Sequence, residues 1–470
     1  MKLLLKKNRF DFITGNTWDW VICIIMLLPF LVISMYNHPV GDDYWCTTLV
    51  RKVGYWNAQI QLYDVVPPRY TELALSCLTP LSFGNFWGYK IIPAAFILLF
   101  ILIISRLFKT LSANGLSRND RLLMACLFTA IYLSVLPGIG EGIYWASALS
   151  VYHTGIVLFI ILINALFNWY CRQKRNWRVF AVACLCVVGI VGCNEIIAII
   201  SAAVIVWMGI YQLLNKRKLD ALLISMALIL GGCLFFTLTF KGIGNRQQLL
   251  HTDASGRIFY AAGIAVMGAG YYIARCLLNP FFWVGIIAMR GIFIKFSGHF
   301  FNSCRQLFEM PKYFLSLWLF SLFIVFFPVL MLTGNKPPLR ISNMSVFLFL
   351  FGLIYWVTFV ANNKAINNRL AGFMGVVNKY RYVLQCLLLL TGFALKGNVP
   401  VAVSEIISGK AYYYDREMNE RYKLLQECVT DTCVVPPLKH IPVTLRYGSA
   451  DYDPHIAEYF NKKAVIKSAK

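Results

Sequence analysis

Charge is the scarcest property of this sequence. Charged side chains make up 14% of the residues, and only 21 of the 470 residues are Asp or Glu. An average soluble protein carries about a quarter of its residues as charged side chains. Hydrophobic residues instead reach 59%, and they are gathered in runs of about 20 residues, the length that crosses a bilayer as a helix. This composition excludes an ordinary soluble domain and predicts an all-α protein that crosses a membrane several times.

The shortage of acid leaves a net charge of +23, but the location of the basic residues argues against nucleic acid as a partner. Most Lys and Arg lie in short segments between apolar runs, where they orient the helices of a membrane protein. We therefore expect membrane lipids, and no nucleic acid, around most of the chain.

The sequence also lacks the cysteine spacing that is typical of metal-binding sites. Most of the 14 cysteines lie in apolar runs, where cysteine packs as a small hydrophobe. The exception is the pair Cys428 and Cys433. These two residues form a disulfide if their segment lies in an oxidising compartment, and a reduced pair fits the sequence equally well.

The apolar runs give the predicted topology. Eleven candidate spans cover residues 19–36, 91–108, 122–137, 150–170, 179–193, 196–214, 220–240, 278–294, 313–332, 346–361 and 382–395. Every second connection is rich in Lys and Arg, whereas the segment 137–150 has none. By the positive-inside rule this alternation predicts a cytoplasmic N-terminus and a C-terminus on the outer face. We expect the first run to be retained as a helix, since no small-residue cleavage pattern follows it.

One further segment, 256–275, is apolar and Gly-rich with flanking Arg. It is either a helix lying along the membrane surface or a twelfth span. An extra span would invert the base-rich connections that follow, so the topology favours the surface helix.

We predict two domains. A transmembrane domain covers 1–395 and includes a long first outer loop, 37–90, and a small α/β module covers 396–470 on the outer face. The module begins with a charged helix and has only 75 residues. Such a length gives it little core of its own, so docking on the transmembrane domain would help to stabilise it.

The few polar side chains collect at the predicted outer face. They are Asp42, Asp43 and Arg69 in the first outer loop, Glu141, Tyr144 and Trp145 in the second, Asn194 and Glu195 in the third, and Arg246 and Arg340 in later ones. An ion-coupled transporter would place ionisable groups near the middle of the bilayer. A carboxylate can instead act as a general base, Arg can hold a phosphate, and aromatic rings can stack on sugars. Together these residue types suggest glycosyl transfer from a lipid-phosphate donor.

The order of these motifs resembles the C-type glycosyltransferases (GT-C). These are polytopic inner-membrane enzymes that use polyprenyl-phosphate-linked sugars and carry an acidic motif in the outer loop after the first helix. More closely, the sequence is similar to a family of bacterial multi-pass membrane proteins with a DDY motif after that helix. The matching motifs here are Asp42–Tyr44, Arg69–Tyr70, Asn194–Glu195, Gly244–Arg246, Tyr414–Arg416 and Pro436–Leu438. Two positions depart from the pattern, because Pro68 replaces a glycine and Cys193 is inserted into a Gly-Asn-Glu turn.

The resemblance implies a role for each site residue. Asp42 would be the general base that deprotonates the acceptor hydroxyl, and Asp43 would support it or hold a divalent cation, Mg or Mn. Arg246 and Arg340 would bind the donor phosphate, and Glu195 would orient an Arg or bind a sugar hydroxyl. The other candidates for substrate contact are Arg69, Tyr70, Glu141, Tyr144, Trp145, Asn194 and Asn245.

The resemblance also implies a bacterial inner-membrane location, a polyprenyl-phosphate-linked sugar donor and a glycan or lipid acceptor. A base without a protein nucleophile implies a single displacement that inverts the anomeric carbon.

Other interpretations share parts of this pattern. A lipid-linked saccharide flippase needs a continuous polar path through the membrane, which the apolar runs do not offer. An O-antigen ligase or polymerase shares the chemistry but uses a pyrophosphate-linked oligosaccharide. A turn or helix cap would account for Asp42 and Asp43 without any catalytic role, and an interfacial aromatic belt would account for Tyr144 and Trp145.

Overall fold

The computed structural model describes residues 15–66, 69–216, 218–238, 257–363, 366, 372, 375–446 and 454–467. Eight helices in this part of the chain are long and apolar enough to cross a membrane, and a ninth candidate is the pair Arg381–Ala394 and Asn398–Ile407, bent by 65°. The eight are Thr17–Tyr36, Gly88–Leu111, Ala146–Tyr170, Glu195–Leu214, Ile258–Leu277, Pro280–Ser303, Pro311–Thr333 and Leu339–Asn362. These helices confirm the prediction of an all-α multi-pass membrane protein at this level of detail.

The helices and strands are named here in chain order. They are α1 (Gly15–Ile33), α2 (Asp42–Val53), α3 (Tyr55–Val65), α4 (Tyr70–Cys77), α5 (Gly88–Leu111), α6 (Arg118–Val135), α7 (Thr154–Tyr170), α8 (Trp177–Val191), α9 (Glu195–Lys216), α10 (Ala221–Leu238), α11 (Ile258–Leu277), α12 (Pro280–Ser303), α13 (Pro311–Ile324), α14 (Phe327–Thr333), α15 (Leu339–Asn362), α16 (Arg381–Ala394), α17 (Asn398–Ile407), α18 (Lys410–Glu427), β1 (Thr432–Val435), α19 (Pro454–Tyr459) and β2 (Ala464–Lys467). Short helical turns lie at Ser34–Tyr36, Pro80–Phe83, Gly140–Tyr144, Ala146–Ala148, Leu149–His153 and Arg305–Phe308.

Four of the predicted spans correspond to helices that fall outside the set of eight, namely α6, α8 and α10, and α16, which belongs to the bent pair. The helix α6 begins with a charged first turn, in which the Ser117 hydroxyl caps the Asp120 amide at 3.0 Å, a common way to satisfy a helix N-terminus. The helices α8 and α10 are apolar but shorter than a full span. A bilayer crossing by α6, α8 and α10 is therefore left to the proposal below.

The polar end of the bundle is built around the connection that follows α1. The Asn37 amide donates to the carbonyl oxygens of Tyr89, at 3.1 Å, and Tyr144, at 2.8 Å. These bonds fasten the connection to the start of α5 and to the turn that precedes α7. We call this end, where α1 finishes and Asp42 begins α2, the acidic end.

Both ends of α11 lie at the acidic end. The Arg257 guanidinium, just before α11, lies against Gly334 in the connection that leads into α15. Asn279, just after α11, donates to the carbonyl oxygen of Ser134 near the end of α6, at 3.2 Å. The length and composition of α11 fit a span, and both of its ends are held at the same end of the bundle. This geometry favours the surface helix over the twelfth span.

The region after α16 folds back onto the acidic end. The strands β1 and β2 form a two-stranded parallel sheet, with Thr432 opposite Ala464 and Val435 opposite Lys467, and a disulfide joins Cys428 to Cys433. The predicted charged helix is α18. Its Asp415 carboxylate accepts hydrogen bonds from His38, at 2.9 Å, and Lys90, at 2.5 Å.

The contacts of His38 define a connected hydrogen-bond network. The Tyr44 hydroxyl donates to the Tyr422 oxygen at 3.1 Å, and the Tyr422 hydroxyl meets His38 Nδ1 at 3.2 Å. Burial lowers the pKa of His38 more than Asp415 raises it, so the ring is neutral at pH 7. A neutral ring with its proton on Nε2 donates to Asp415 and accepts from Tyr422, which satisfies every member of the chain.

Substituting Asp415 with Ala should destabilise the protein strongly. Lys90 is 8% exposed, and removing its anionic partner leaves a nearly buried charge, which costs about 2–4 kcal/mol. The free energy of unfolding of the detergent-purified protein measures the effect. The control is Asp431→Ala, which breaks the exposed 2.6 Å pair with Lys463 and should cost below about 1 kcal/mol. Equal losses from the two variants would show that Asp415 does not fasten α18.

Candidate functional site

Asp43 is a structural residue in this fold. Its carboxylate is 0% exposed and accepts hydrogen bonds from the Ser147 amide at 2.9 Å, the Ser147 hydroxyl at 2.6 Å and the Val40 amide at 3.1 Å. Burial raises the pKa of Asp43 to about 7, although these hydrogen bonds oppose the rise. Both carboxylate oxygens therefore hold the chain in place, tying the start of α2 to the start of the segment that leads into α7.

The same contacts bear on the expectation that Asp43 holds a cation. Protein N–H and O–H donors already point at both of its oxygens, where a divalent cation would need open oxygen ligands. Within the described ranges, no group of three or more His, Cys, Asp and Glu side chains is placed to hold a metal ion. The described residues around Asp43 therefore do not fit Mg or Mn, and the proposed reaction does not use a metal ion.

Asp42 has the opposite environment from its neighbour. It begins α2 after Gly41, whose φ of +59° is one that glycine adopts readily, and its side chain is exposed. A Cβ at Gly41 would lie 3.9 Å from the Trp145 ring, so the start of α2 passes directly beside that ring. Asp42 is thus an accessible carboxylate on a helix whose start packs against the Trp145 ring.

Glu72 joins Asp42 at this surface, although no motif in the sequence marks it as a site residue. It lies in the first turn of α4 and accepts a hydrogen bond from the Ser76 hydroxyl at 3.0 Å. Burial raises the pKa of Glu72 to about 7, Arg69 and Ser76 oppose the rise, and the charges of Asp42 and Glu195 add to it. The signal in the sequence was its spacing, three residues after Arg69, which places the two side chains at the same helix start.

Arg69 and Glu195 form a two-pronged ion pair across 126 positions. The Arg69 Nε and Nη2 atoms donate to the two Glu195 oxygens at 3.0 and 2.8 Å, with side-chain exposures of 18% and 52%. Of the two roles expected for Glu195, orienting an arginine or binding a sugar hydroxyl, this contact corresponds to the first.

The backbone around this pair accounts for the two motifs. The amides of Thr71 and Glu72 donate to the Gly192 carbonyl oxygen at 2.9 and 3.0 Å, which satisfies two free N–H groups at the start of α4. A Cβ at Gly192 would lie 2.3 Å from the Tyr70 ring, so only glycine fits there. The Arg-Tyr motif and the Gly-Cys-Asn-Glu turn are the two sides of one contact.

Arg340 provides the second cation. Its backbone amide and guanidinium both approach the Glu141 carboxylate, at 3.3 and 3.5 Å, and its Nε lies 3.4 Å from the Tyr152 hydroxyl. The guanidinium also lies over the Trp145 and Tyr152 rings, 5.3 and 5.9 Å from their centres, within the range of a cation–π contact. Glu141 and Tyr152 belong to the wide turns Gly140–Tyr144 and Leu149–His153, which are often found at functional sites.

These residues make one continuous surface at the acidic end. Tyr152 contacts Arg340, and the turn Leu149–His153 that carries it packs against α4, which follows Arg69 and carries Glu72. The charges of Arg69 and Asp42 both affect the pKa of Glu72. We call this surface the charged patch, and it consists of Asp42, Arg69, Glu72, Glu141, Trp145, Tyr152, Glu195 and Arg340.

The comparisons with known proteins give no family for this chain. No protein-family model and no curated protein matches it. The charged patch therefore has to be interpreted from its own geometry.

Three predicted substrate contacts lie outside the charged patch. The Tyr144 hydroxyl donates to the Phe30 carbonyl oxygen at 2.8 Å, the Tyr70 hydroxyl donates to that of Val188 at 2.6 Å, and the Asn194 side chain accepts from the Ile196 amide at 2.9 Å. Tyr144 and Asn194 are each 1% exposed. The side chains of Tyr144 and Asn194 therefore position the backbone inside the protein, whereas the Tyr70 side chain stays partly exposed beside Arg69. The remaining candidates, Asn245 and Arg246, lie outside the described residues, as does Pro68.

Proposed function

We propose that this protein is a membrane glycosyltransferase that moves a sugar from a polyprenyl-phosphate donor to a cell-envelope glycan or lipid acceptor. The observation that carries the proposal is the contrast between two adjacent acids. Asp43 is buried and fully bonded, whereas Asp42 is exposed in the charged patch with Arg69 and Arg340. An accessible base beside cations at the end of an apolar bundle suits a substrate that is part lipid and part sugar phosphate.

The proposed topology has eleven spans, with α11 lying on the surface and the acidic end outside the bacterial inner membrane. It places the N-terminus in the cytoplasm and residues 396–470 on the outer face. Exposed basic residues such as Arg106, Arg118, Lys174 and Arg175 gather at the opposite end of the bundle, as the positive-inside rule expects for a cytoplasmic side. The Cys428–Cys433 disulfide supports an oxidising compartment at the acidic end.

The proposed reaction is a single displacement. Asp42 takes the proton from the acceptor hydroxyl as its oxygen attacks the anomeric carbon of the donor sugar. The bond between that carbon and the phosphate oxygen breaks, and its electron pair leaves with the polyprenyl phosphate. Arg340 and Arg69 stabilise the negative charge that develops on the leaving phosphate, and attack opposite the leaving group inverts the anomeric carbon.

The fixed position of Arg340 suits this role. Its contacts with Glu141, Trp145 and Tyr152 hold the guanidinium in one orientation before a substrate arrives. A preorganised cation needs little rearrangement as charge develops, which is the main electrostatic contribution of enzymes to catalysis. Trp145 adds an aromatic face next to Asp42, where a sugar ring can pack.

Mass spectrometry of envelope glycans tests the function as a whole. A strain that lacks the gene should lose one sugar from an envelope glycan or lipid, and the wild-type chain should restore it. Purified protein should also transfer that sugar in detergent, where no membrane separates two compartments. Restoration in cells without transfer in detergent would favour a flippase. If the wild-type chain restored a whole oligosaccharide to the envelope glycan, and not one sugar, the result would favour a ligase or polymerase.

Glu72 should make donor binding depend on pH. Its pKa is raised to about 7, so the group is neutral below that pH and negative above it, where it repels an anionic donor. The KM for the donor should rise roughly threefold to tenfold between about pH 6 and pH 8, as expected for one nearby charge. In Glu72→Gln this rise should disappear. The control is Glu420→Gln. Glu420 forms an exposed ion pair with Arg416 on α18, so this variant should keep the rise in KM. An unchanged rise in Glu72→Gln would exclude Glu72 as its cause.

A further inference from the structure

A cavity of about 280 Å³ lies among α7, α9, α13 and α15, and its lining reaches the end of the bundle opposite the acidic end. Its lining extends along α7 from Phe159 to Tyr170 and along α9 from Ile200 to Gln212. At 1.5 Å per residue these stretches are roughly 16 to 18 Å long. The bilayer core is roughly 30 Å thick, so the cavity has the length of one leaflet.

Most polar side chains of this cavity lie at one end, and the exception, Ser321, donates its hydroxyl to the Leu317 carbonyl oxygen at 2.7 Å. Most of its wall is aliphatic or aromatic, for example Trp318 and Phe351. Gln173, Gln212 and Gln306 lie at the end farthest from the charged patch, and Gln173 and Gln306 are exposed. A long apolar wall with a polar mouth matches a molecule that has a hydrocarbon chain and a polar head.

Basic residues surround this polar mouth. Arg172, Lys174 and Arg175 flank Gln173, and Arg305, which pairs with Glu309 at 3.4 Å, precedes Gln306. Apart from the partly buried Arg172, these side chains are exposed. Basic clusters at a membrane surface attract anionic lipid headgroups, at about 1 kcal/mol per Lys or Arg. The positive charge at the mouth therefore favours an anionic headgroup, and the apolar wall favours a hydrocarbon chain.

We propose that this cavity binds an anionic phospholipid of the leaflet opposite the acidic end. One acyl chain lies between α7, α9, α13 and α15, and the phosphate lies at the basic mouth. The site is separate from the charged patch, because α7 and α9 run from the patch at their N-terminal ends to the cavity mouth at their C-terminal ends. Lipid binding here does not depend on the proposed glycosyl transfer.

The first test fills the cavity. Val204 lines the cavity. Val206, two residues further along α9, is 58% exposed and does not line the cavity. Native mass spectrometry of the protein, taken from nanodiscs that contain equal phosphatidylglycerol and phosphatidylcholine with identical chains, should show retained phosphatidylglycerol. Val204→Phe should reduce that adduct about tenfold or more, and Val206→Phe should leave it unchanged. Equal retention of the two lipids by the wild type, or equal adducts in the two variants, would overturn the proposal.

The second test removes the headgroup contact without altering the cavity. Lys174→Gln/Arg175→Gln should weaken phosphatidylglycerol retention about tenfold or more, as expected from losing two headgroup charges. The control is Arg106→Gln/Arg118→Gln. These residues are exposed at the same end of the bundle, on α5 and α6, and neither lines the cavity. If this control loses as much lipid as the first pair, the binding is general surface attraction and the cavity is not a specific site.

Discussion

Asp42→Asn should lower kcat for sugar transfer by about 10³-fold while leaving the protein folded. General base catalysis contributes about 10²- to 10⁴-fold, and Asn has the same shape as Asp without its basicity. The side chain is exposed, and substitutions at exposed positions usually change the free energy of unfolding by about 0.5 kcal/mol or less. Initial rates with purified protein and the lipid-linked donor measure the effect, and thermal unfolding measures stability.

The matched control is the same substitution one residue along. Asp43→Asn replaces one acceptor oxygen with an NH2 group facing the donors of Ser147 or Val40. An unsatisfied buried group costs about 1–3 kcal/mol, so this variant should lose stability, and its loss of activity should follow its loss of folded protein. The base assignment would be wrong if Asp42→Asn kept wild-type rates while folded Asp43→Asn was inactive.

The acidic pair shows what one sequence can and cannot specify. Two adjacent residues at a helix start point in different directions, about 100° apart for 3.6 residues per turn. Which of them faces the core depends on Ser147, which lies 104 positions away. Hydropathy identified the end of the bundle where both lie, but only the packed fold separates the exposed carboxylate from the buried one.

The helix bounds show the same division between local and distant effects. The predicted run 91–108 corresponds to the helix Gly88–Leu111, because an apolar segment of about 20 residues that crosses a membrane satisfies its backbone hydrogen bonds as a helix. The run 278–294 was predicted too short, since Lys295 follows it directly and lowers the hydropathy, while the helix continues to Ser303. Charge marks where a segment leaves hydrocarbon and does not by itself end a helix.

The C-terminal motifs gained a physical meaning only from the structure. Tyr414–Arg416 contains Asp415, which fastens α18 to His38 and Lys90, and Pro436 accepts a hydrogen bond from Arg421 at 2.7 Å. The partners of Asp415 lie 377 and 325 positions away. The local sequence pattern cannot reveal contacts between residues so far apart in the chain. The sequence therefore indicated a charged helix and a strand, but not that they pack against the segment that leads to Asp42.

Arg340→Gln should lower kcat/KM for transfer about 10²- to 10³-fold, the second largest effect expected. Removing a single preorganised donor to a developing oxyanion costs about that much in other enzymes. The loss should fall mainly on kcat, because the charge on the leaving phosphate increases as the bond to the sugar breaks. Steady-state kinetics at varied donor concentration separates this effect from a loss of ground-state binding, which would raise KM alone.

Arg340→Lys separates charge from geometry at the same position. Lysine keeps the positive charge but lacks the planar fork and stacks less well on aromatic rings, so it cannot reproduce the contacts with Glu141 and Trp145. We expect it to recover at most about a tenth of the wild-type kcat/KM. Arg416→Gln, which removes an exposed arginine of α18, should retain full activity. Full activity in Arg340→Gln would mean that Arg340 only neutralises Glu141, and the phosphate would then have to be held by Arg69 or by a residue outside the charged patch.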